Sequence, residues 1–220
     1  MSVLRVGTRP SPLAIKQVDE LKKMFPWVNL ETVIISTIGD KDKITSLINV
    51  EGSDFFTKEI DQALLSGEID VALHSSKDLP EQLTRGLKII IETKPISPFD
   101  ALVSKGRLKL LELPYAGRVG TSSQRRRVHV HLLRKDLILV DIRGNIEERL
   151  NLIDTGKIDA LVVAHAALIR LGLEHMIAEV FSVDNFVASP KQGSLTLVTM
   201  EDRWQQVRSI LSEQAQATGN

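Results

Sequence analysis

His74-Ser75-Ser76-Lys77-Asp78 puts an imidazole, hydroxyls, an ammonium and a carboxylate side by side at the end of an apolar run. Such a set could move a proton or hold a polar ligand by charge. Taken alone, the stretch reads as a helix N-terminus, with Ser75 or Ser76 as cap and Asp78 favoured by the helix dipole. A second group is basic: Gly120-Thr121-Ser122-Ser123-Gln124-Arg125-Arg126-Arg127 sets hydroxyls and arginines at a strand-to-helix turn. Backbone N–H groups point at an anion in such a turn, and guanidinium groups grip carboxylate or phosphate bidentately. Arg9 and Arg143 lie at comparable strand ends, Arg149 six residues beyond Arg143 in the following helix, and Arg170 at the end of another short helix. A single such arginine is ordinarily a solvated surface residue, and Arg127 fits that description. Several at strand ends point instead to an oligo-anionic ligand. No Walker or dinucleotide glycine pattern is present, so phosphate and polycarboxylate both stay open. His129 and His131 diverge on a helix and make no metal pair, and His165, in apolar company, reads as packing.

These residues need strands and turns to hold them. Ile69 to Leu73, after the turn Ser66-Gly67-Glu68, is a short buried strand, and open α/β sheets bind ligands at the carboxyl ends of their strands. Before it the pattern predicts a strand over 4–6, then a helix from Pro12 with Ser11 as N-cap and a stripe of Leu13, Val18, Leu21 and Met24. A strand follows over 30–35. The polar stretch 41–54 reads as a lid or mobile loop, and 55–65 as a helix whose inner face is Phe56, Ile60, Ala63 and Leu64. A strand over 87–91 leads to the stiff crossing Lys94-Pro95-Ile96-Ser97-Pro98. The alternation then restarts, with strands over 100–104, 138–142 and 158–163 and helices ending at 133, 154 and 171. A second crossing over 188–193, a strand over 195–198 and a helix over 201–214 complete it. No internal repeat stands out. The expected organisation is α/β, with a first lobe of 1–94 plus 194–220 and a second of 99–189. Hinges near 95–98 and 190–193 leave a cleft between the lobes, as in bilobed solute-binding proteins.

Composition narrows the partners. The 220 residues are 43% hydrophobic, and 28 basic residues balance 28 acidic ones, so no net field draws nucleic acid or an anionic membrane. There is no cysteine, hence no disulfide, thiolate metal site or thioether link. The N-terminus has neither a leader nor a spanning pattern, and a cytoplasmic monomer is expected.

The segments Thr8-Arg9-Pro10-Ser11-Pro12-Leu13-Ala14, His74-Ser75-Ser76-Lys77-Asp78-Leu79-Pro80, Val119-Gly120-Thr121-Ser122-Ser123-Gln124-Arg125-Arg126, Ile142-Arg143-Gly144-Asn145 and Arg170-Leu171-Gly172-Leu173 together closely resemble the porphobilinogen deaminase (hydroxymethylbilane synthase) family. The resemblance implies a two-lobed, periplasmic-binding-protein-like fold of type II. It also implies a transferase of haem and other tetrapyrrole biosynthesis, joining four porphobilinogens with loss of ammonia. By this resemblance Asp78 is the catalytic carboxylate, holding the pyrrole N–H and stabilising a cationic azafulvene. Arg9, Arg125, Arg126, Arg143, Arg149 and Arg170 match carboxylate binders of porphobilinogen and linear oligopyrroles. Ser11, Ser75, Lys77, Thr121, Ser122, Ser123, Gln192 and Gly193 match pocket positions, and Phe56 matches the aromatic at the base of the active-site loop.

The chain also departs from the family. The family carries a dipyrromethane primer on a cysteine of a third, C-terminal domain. This sequence ends at Asn220, where that domain would begin, and has no cysteine. The expectation is therefore a non-covalent dipyrromethane or oligopyrrole. Gly52-Ser53-Asp54 replaces a glycine-lysine-glycine turn, Asn49 replaces a loop lysine, and Lys191 replaces a glycine. The alternative expectation is an impaired or inactive pyrrole-carboxylate binding protein derived from the family.

Overall fold

A computed structural model describes residues 3–42, 44–46, 48 and 53–212. The chain divides into two compact units, the first formed by Met1–Lys41, Gly52–Lys94 and Leu195–Asn220, the second by Asp42–Glu51 and Pro95–Ser194. The first unit begins with β1 (Val3–Thr8), α1 (Pro12–Met24), β2 (Asn29–Ile34), α2 (Ile38–Lys41), α3 (Lys58–Leu65), β3 (Val71–Ser75) and β4 (Leu87–Glu92). The second holds β5 (Asp100–Ser104), β6 (Arg118–Gly120), α4 (Gln124–Leu133), β7 (Ile138–Val140), α5 (Ile146–Asp154), β8 (Ala160–Ala164), α6 (His165–Leu171) and β9 (Ile177–Val180). The chain then returns to the first unit with β10 (Leu195–Met200) and α7 (Trp204–Ser212).

Local chemistry explains most of these boundaries. Ser11 caps α1, its Oγ accepting from Ala14 N at 3.2 Å, and Pro12 supplies a first-turn residue that needs no N–H partner. Asn145 and Glu148 form a reciprocal capping box at α5, with bonds of 2.8 and 2.7 Å. Some sequence expectations shift. On α1 the inner face is Ala14, Gln17, Val18 and Leu21, whereas Met24 is exposed and Leu13 only half-buried. The helix expected from residue 55 starts at Lys58, because Asp54 O accepts from both Thr57 N and Lys58 N in a preceding turn. No α-helix begins at Ser75 or Ser76: β3 passes into one 3-10 turn, Ser76–Asp78. The closing helix starts with a 3-10 turn, Glu201–Arg203, and residues 213 and 214 of its expected span lie outside the described residues.

Each unit has one five-stranded sheet, ordered β2-β1-β3-β10-β4 in the first and β7-β6-β8-β5-β9 in the second. In the first, β1 runs parallel to β2 and β3, and β10 runs antiparallel to β3 and β4. In the second, β6 runs parallel to β7 and β8, and β5 runs antiparallel to β8 and β9. Both sheets are thus mixed. The antiparallel strand in each follows a crossing segment rather than a helix, so no right-handed crossover constrains its direction. Both faces of each sheet are buried: Leu21, Leu30, Leu197 and Val207 lie in one cluster of the first unit and Ile60, Leu64 and Ile69 in another. Leu102, Val119 and Phe186 do the same in the second unit, opposite Leu150, Ile158 and Leu168.

The two sheets expose an internal repeat that the sequence reading overlooked. Arg5-Val6-Gly7-Thr8 on β1 recurs as Arg118-Val119-Gly120-Thr121 at β6, and Gly67-Glu68-Ile69-Asp70 before β3 recurs as Gly156-Lys157-Ile158-Asp159 before β8. The same ionic fork joins them. Arg5 N and Nε donate to Asp70 Oδ2 at 2.9 and 3.0 Å and its Nη2 to Oδ1 at 3.0 Å. Arg118 does likewise to Asp159 at 2.7, 3.2 and 3.1 Å. The fork fixes β1 against β3 in the first unit and β6 against β8 in the second in the same register, so their carboxyl ends come level. Those ends carry His74–Asp78 in the first unit and the Thr121–Arg126 turn in the second.

Candidate active site

In the first unit a concavity at the carboxyl ends of β1 and β3 is lined by Thr8, Arg9, Ser11, Leu13, Ala14, Gln17, Phe56, Thr57, Leu73, His74, Ser75 and Asp78. The strand ends supply Arg9 and Ser75, the first turn of α1 supplies Ser11 and Leu13, and the 3-10 turn delivers Asp78. The structure therefore brings Arg9, Ser11, Phe56, Ser75 and Asp78 to one wall-set. Lys77, between Ser76 and Asp78, is exposed and outside that lining.

Arg9 is the cation of this concavity. Its Nε donates to Asp40 Oδ1 at 3.0 Å, its Nη2 to the same oxygen, and its guanidinium lies over the Phe56 ring at 4.1 Å. Asp40 Oδ2 accepts from Thr37 N and Oγ1 at 3.0 and 2.8 Å. Burial raises the Asp40 carboxyl, but the hydrogen bond and charge of Arg9, helped by Thr37, outweigh it and hold the group below the ordinary carboxylate range. Gln17, buried on α1, donates to Ser75 Oγ at 2.9 Å and so ties the helix to the strand end. His74 is 5% exposed, and burial, then the charge of Arg9, pushes its imidazole down to about 4, so it is neutral at pH 7. Its Nε2 has no hydrogen-bond partner among the described residues.

The second unit gathers its arginines differently. Asp100, fully buried at the start of β5, takes Arg125 Nη2 on Oδ2 at 2.6 Å and Arg126 on Oδ1 at 2.7 Å. Burial raises this carboxyl too, and the charges of Arg126 and Arg125 overcome it, leaving it below the usual range. Arg126 also donates to Val162 O and to Gln192 Oε1, both at 3.3 Å. Gln192 Nε2 reaches Pro98 O at 2.8 Å, Phe99 O at 2.9 Å and Asp100 Oδ1 at 3.1 Å. Arg126 and Gln192 thus spend their polar atoms on protein and tie the crossing segments to β5 and β8.

Other expected site residues are held by local bonds. Arg125 also donates to Val187 O, Arg143 to Asp42 O, Arg149 Nε to Gly144 O at 2.8 Å, and Arg170 Nη2 to Gly193 O at 2.9 Å. Ser122 Oγ bridges Ile142 N and O, and Thr121 Oγ1 accepts from Ser123 N at 3.4 Å. His165 is more than packing, since its Nδ1 lies 3.0 Å from Ser97 Oγ. Lys191 adopts φ 57°, a left-handed conformation that explains why glycine is expected there. Asn49 and Gly52 lie outside the described residues. The sequence reading missed Asp40, Asp100 and Gln17, and only Gln17, a polar residue in an apolar helix stripe, left a local signal.

A family model described as "Porphobilinogen deaminase, dipyromethane cofactor binding domain" matches residues 4–208. The chain belongs to the porphobilinogen deaminase family. Porphobilinogen deaminase of Natranaerobius thermophilus is 42% identical over 204 residues, covering 90% of this chain and 66% of that protein. That of Geobacter sulfurreducens is 41% identical over 198 residues, covering 88% and 62%, and that of Caldicellulosiruptor saccharolyticus 40% over 205 residues, covering 92% and 71%. The chain spans a little under two thirds of the first of these deaminases, 66% of its length. Among solved structures, a nutrient binding protein from Burkholderia cenocepacia bound to methionine aligns with TM-score 0.54 at 14% identity, covering 94% of this chain and 89% of that one. The BvgS VFT2 domain of Bordetella pertussis aligns with TM-score 0.52 at 13% identity, covering 99% and 88%. Such likeness speaks to fold alone: α/β, of the periplasmic-binding-protein-like type II class that the sequence implied for a porphobilinogen deaminase. No described helix is long and apolar enough to cross a membrane.

Proposed function

We propose that the chain carries the hydroxymethylbilane synthase reaction, joining four porphobilinogens head to tail with loss of ammonia. The observation that carries this reading is the first-unit concavity, where Asp78 shares a lining with Arg9 and Phe56. Arg9 presents a guanidinium whose outer edge suits an acetate or propionate, and Phe56 offers an apolar face to a pyrrole. Asp78 accepts the pyrrole N–H and offsets the positive charge that remains on the ring and its methylene as the protonated amino group leaves that methylene as ammonia. The free α-carbon of a neighbouring pyrrole then bonds to the methylene and gives up its proton. Arg125, Arg143, Arg149 and Arg170 serve further carboxylates of the growing chain, while Arg126 and Gln192 hold the second-unit framework.

A dipyrromethane fits this donor set as a polycarboxylate, and its chemistry is to prime chain growth. The thioether does not fit, since none of the 220 residues is a cysteine. Within these residues we therefore propose a non-covalent dipyrromethane or oligopyrrole, held by Arg125, Arg143, Arg149 and Arg170. The same reading makes the protein a cytoplasmic monomer working on small acids, and its balanced charge supplies no net field to draw nucleic acid.

The test is to incubate purified protein with porphobilinogen and follow pyrrole consumption together with ammonia release. Turnover that falls at least about a hundredfold in Asp78→Asn is expected. Tight binding without turnover would favour a pyrrole-carboxylate binding protein instead. Absence of both binding and turnover would remove the reading altogether.

A further inference from the structure

The geometry points to Asp40 as the positioning residue that makes Arg9 a one-sided carboxylate clamp, and this rests on the proposed role of Arg9 as a ligand contact. A free arginine samples many rotamers, and holding it in place costs entropy each time a ligand binds. Here that ordering precedes the ligand. Asp40 Oδ1 takes Nε and one Nη2 hydrogen on the inner edge of the guanidinium, and Phe56 covers one face at 4.1 Å. The Nη1 and remaining Nη2 hydrogens form the outer fork, and Arg9 lines the concavity shared with Asp78.

The holder is itself fixed. Asp40 Oδ2 is bonded by Thr37 N at 3.0 Å and Thr37 Oγ1 at 2.8 Å, and Ile38 N donates to Glu59 Oε1 at 3.0 Å. Gly39 lets α2 sit against the aromatic, because a Cβ there would lie 2.2 Å from the Phe56 ring. Asp40, held by Thr37, thus fixes the inner edge of the guanidinium, while Phe56, with Gly39 against it, covers one face. A carboxylate so close to an anion-binding arginine could also act as its competitor. The two roles predict opposite signs: without Asp40, a positioned Arg9 binds ligand acid more weakly, while an Arg9 relieved of competition binds it more strongly.

A double-mutant cycle decides the matter, with porphobilinogen as probe and its Kd read by calorimetry on Arg9→Ala, Asp40→Asn and the pair. Asp40→Asn is expected to weaken binding about tenfold, Arg9→Ala at least as much, and the pair no more than Arg9→Ala alone. Thr37→Val, which keeps the charge and removes one bond to Asp40, should give a smaller loss of the same sign that also vanishes in Arg9→Ala. It carries the test if Asp40→Asn does not fold. Tighter binding in Asp40→Asn, or losses that add in the pair, would overturn the inference. Unchanged binding in Arg9→Ala would instead count against Arg9 as a ligand contact, and so against the proposed function.

Discussion

Both units anchor arginines with a carboxylate at the same edge of the same kind of sheet, yet they use the pairing to different ends. In the first unit one acid holds one arginine: Asp40 grips the inner edge of Arg9, which keeps a role in the lining of a concavity. In the second, one fully buried acid holds two arginines, and one of these spends its remaining donors on Val162 and Gln192. The scaffold beneath is shared, down to the forks Arg5–Asp70 and Arg118–Asp159. The antiparallel strand holds the same place in both sheets, and the turns beyond the strands carry different side chains. A repeated α/β framework can thus keep its register while one copy shapes a chemical pocket and the other builds a charged frame.

The sharpest way to break this contrast is Asp100→Asn. It leaves the guanidinium groups of Arg125 and Arg126 without their counter-charge, and removing one partner of a buried ion pair costs about 3–5 kcal/mol. Hydrogen exchange should show amides of β5, β6 and β8 losing protection while those of β1 and β3 keep theirs. Equal loss in both units, or none in either, would mean that Asp100 is no local keystone.

The second test concerns His74, the buried imidazole of the first unit. Its folded value of about 4 lies below the ordinary 6.5, so the unfolded chain binds the proton more readily. Its contribution to stability is whole above pH 6.5 and is lost as pH falls through 6.5 toward 4. The loss amounts to about 3 kcal/mol at most, since each unit of difference is worth roughly 1.4 kcal/mol. Asp70 and Asp136, held near 2, act with the same sign but chiefly below pH 4. Urea unfolding at pH 7 and pH 4.5 should therefore show a drop in the parent protein that His74→Leu largely abolishes. A parallel drop in His74→Leu would assign the acid sensitivity elsewhere.

How much of this could be read from the chain follows from the range of each signal. The α/β alternation, the Ser11 cap and the strand end at His74–Asp78 rest on local apolar runs and Gly/Pro punctuation, and the structure keeps them. The half-exposed edge strand β9 and the four-residue α2 have too short a pattern to announce themselves. Asp40 and Asp100 reach their arginines across 31 and 25 residues, which no window of sequence links. The internal repeat escaped for a related reason: its fork partners are 65 residues apart in one copy and 41 in the other. Insertions of different length hide a periodicity that the folded register restores.

The repeat itself can be sharpened by its paired glycines. A Cβ on Gly7 would lie 2.3 Å from Ile69 Cδ1 and 3.1 Å from Ile35 Cδ1, and one on Gly120 would lie 2.7 Å from Ile158 Cδ1 and 3.0 Å from Ile142 Cδ1. Each glycine therefore opens the strand for an isoleucine that immediately precedes the fork aspartate. Gly7→Ala and Gly120→Ala should each cost about 1–3 kcal/mol through overpacking. The obstructing atoms are the far ends of side chains, so trimming them should help. Ile69→Val removes the Cδ1 nearest Gly7 and is expected to recover part of the loss from Gly7→Ala, and Ile158→Val to do the same for Gly120→Ala. The cross-pairs, Ile158→Val with Gly7→Ala and Ile69→Val with Gly120→Ala, should show simple additivity, because each glycine packs on the isoleucine of its own unit. Rescue in one unit but not in the other, measured by chemical denaturation, would show that the two copies share a strand order but not a way of packing it.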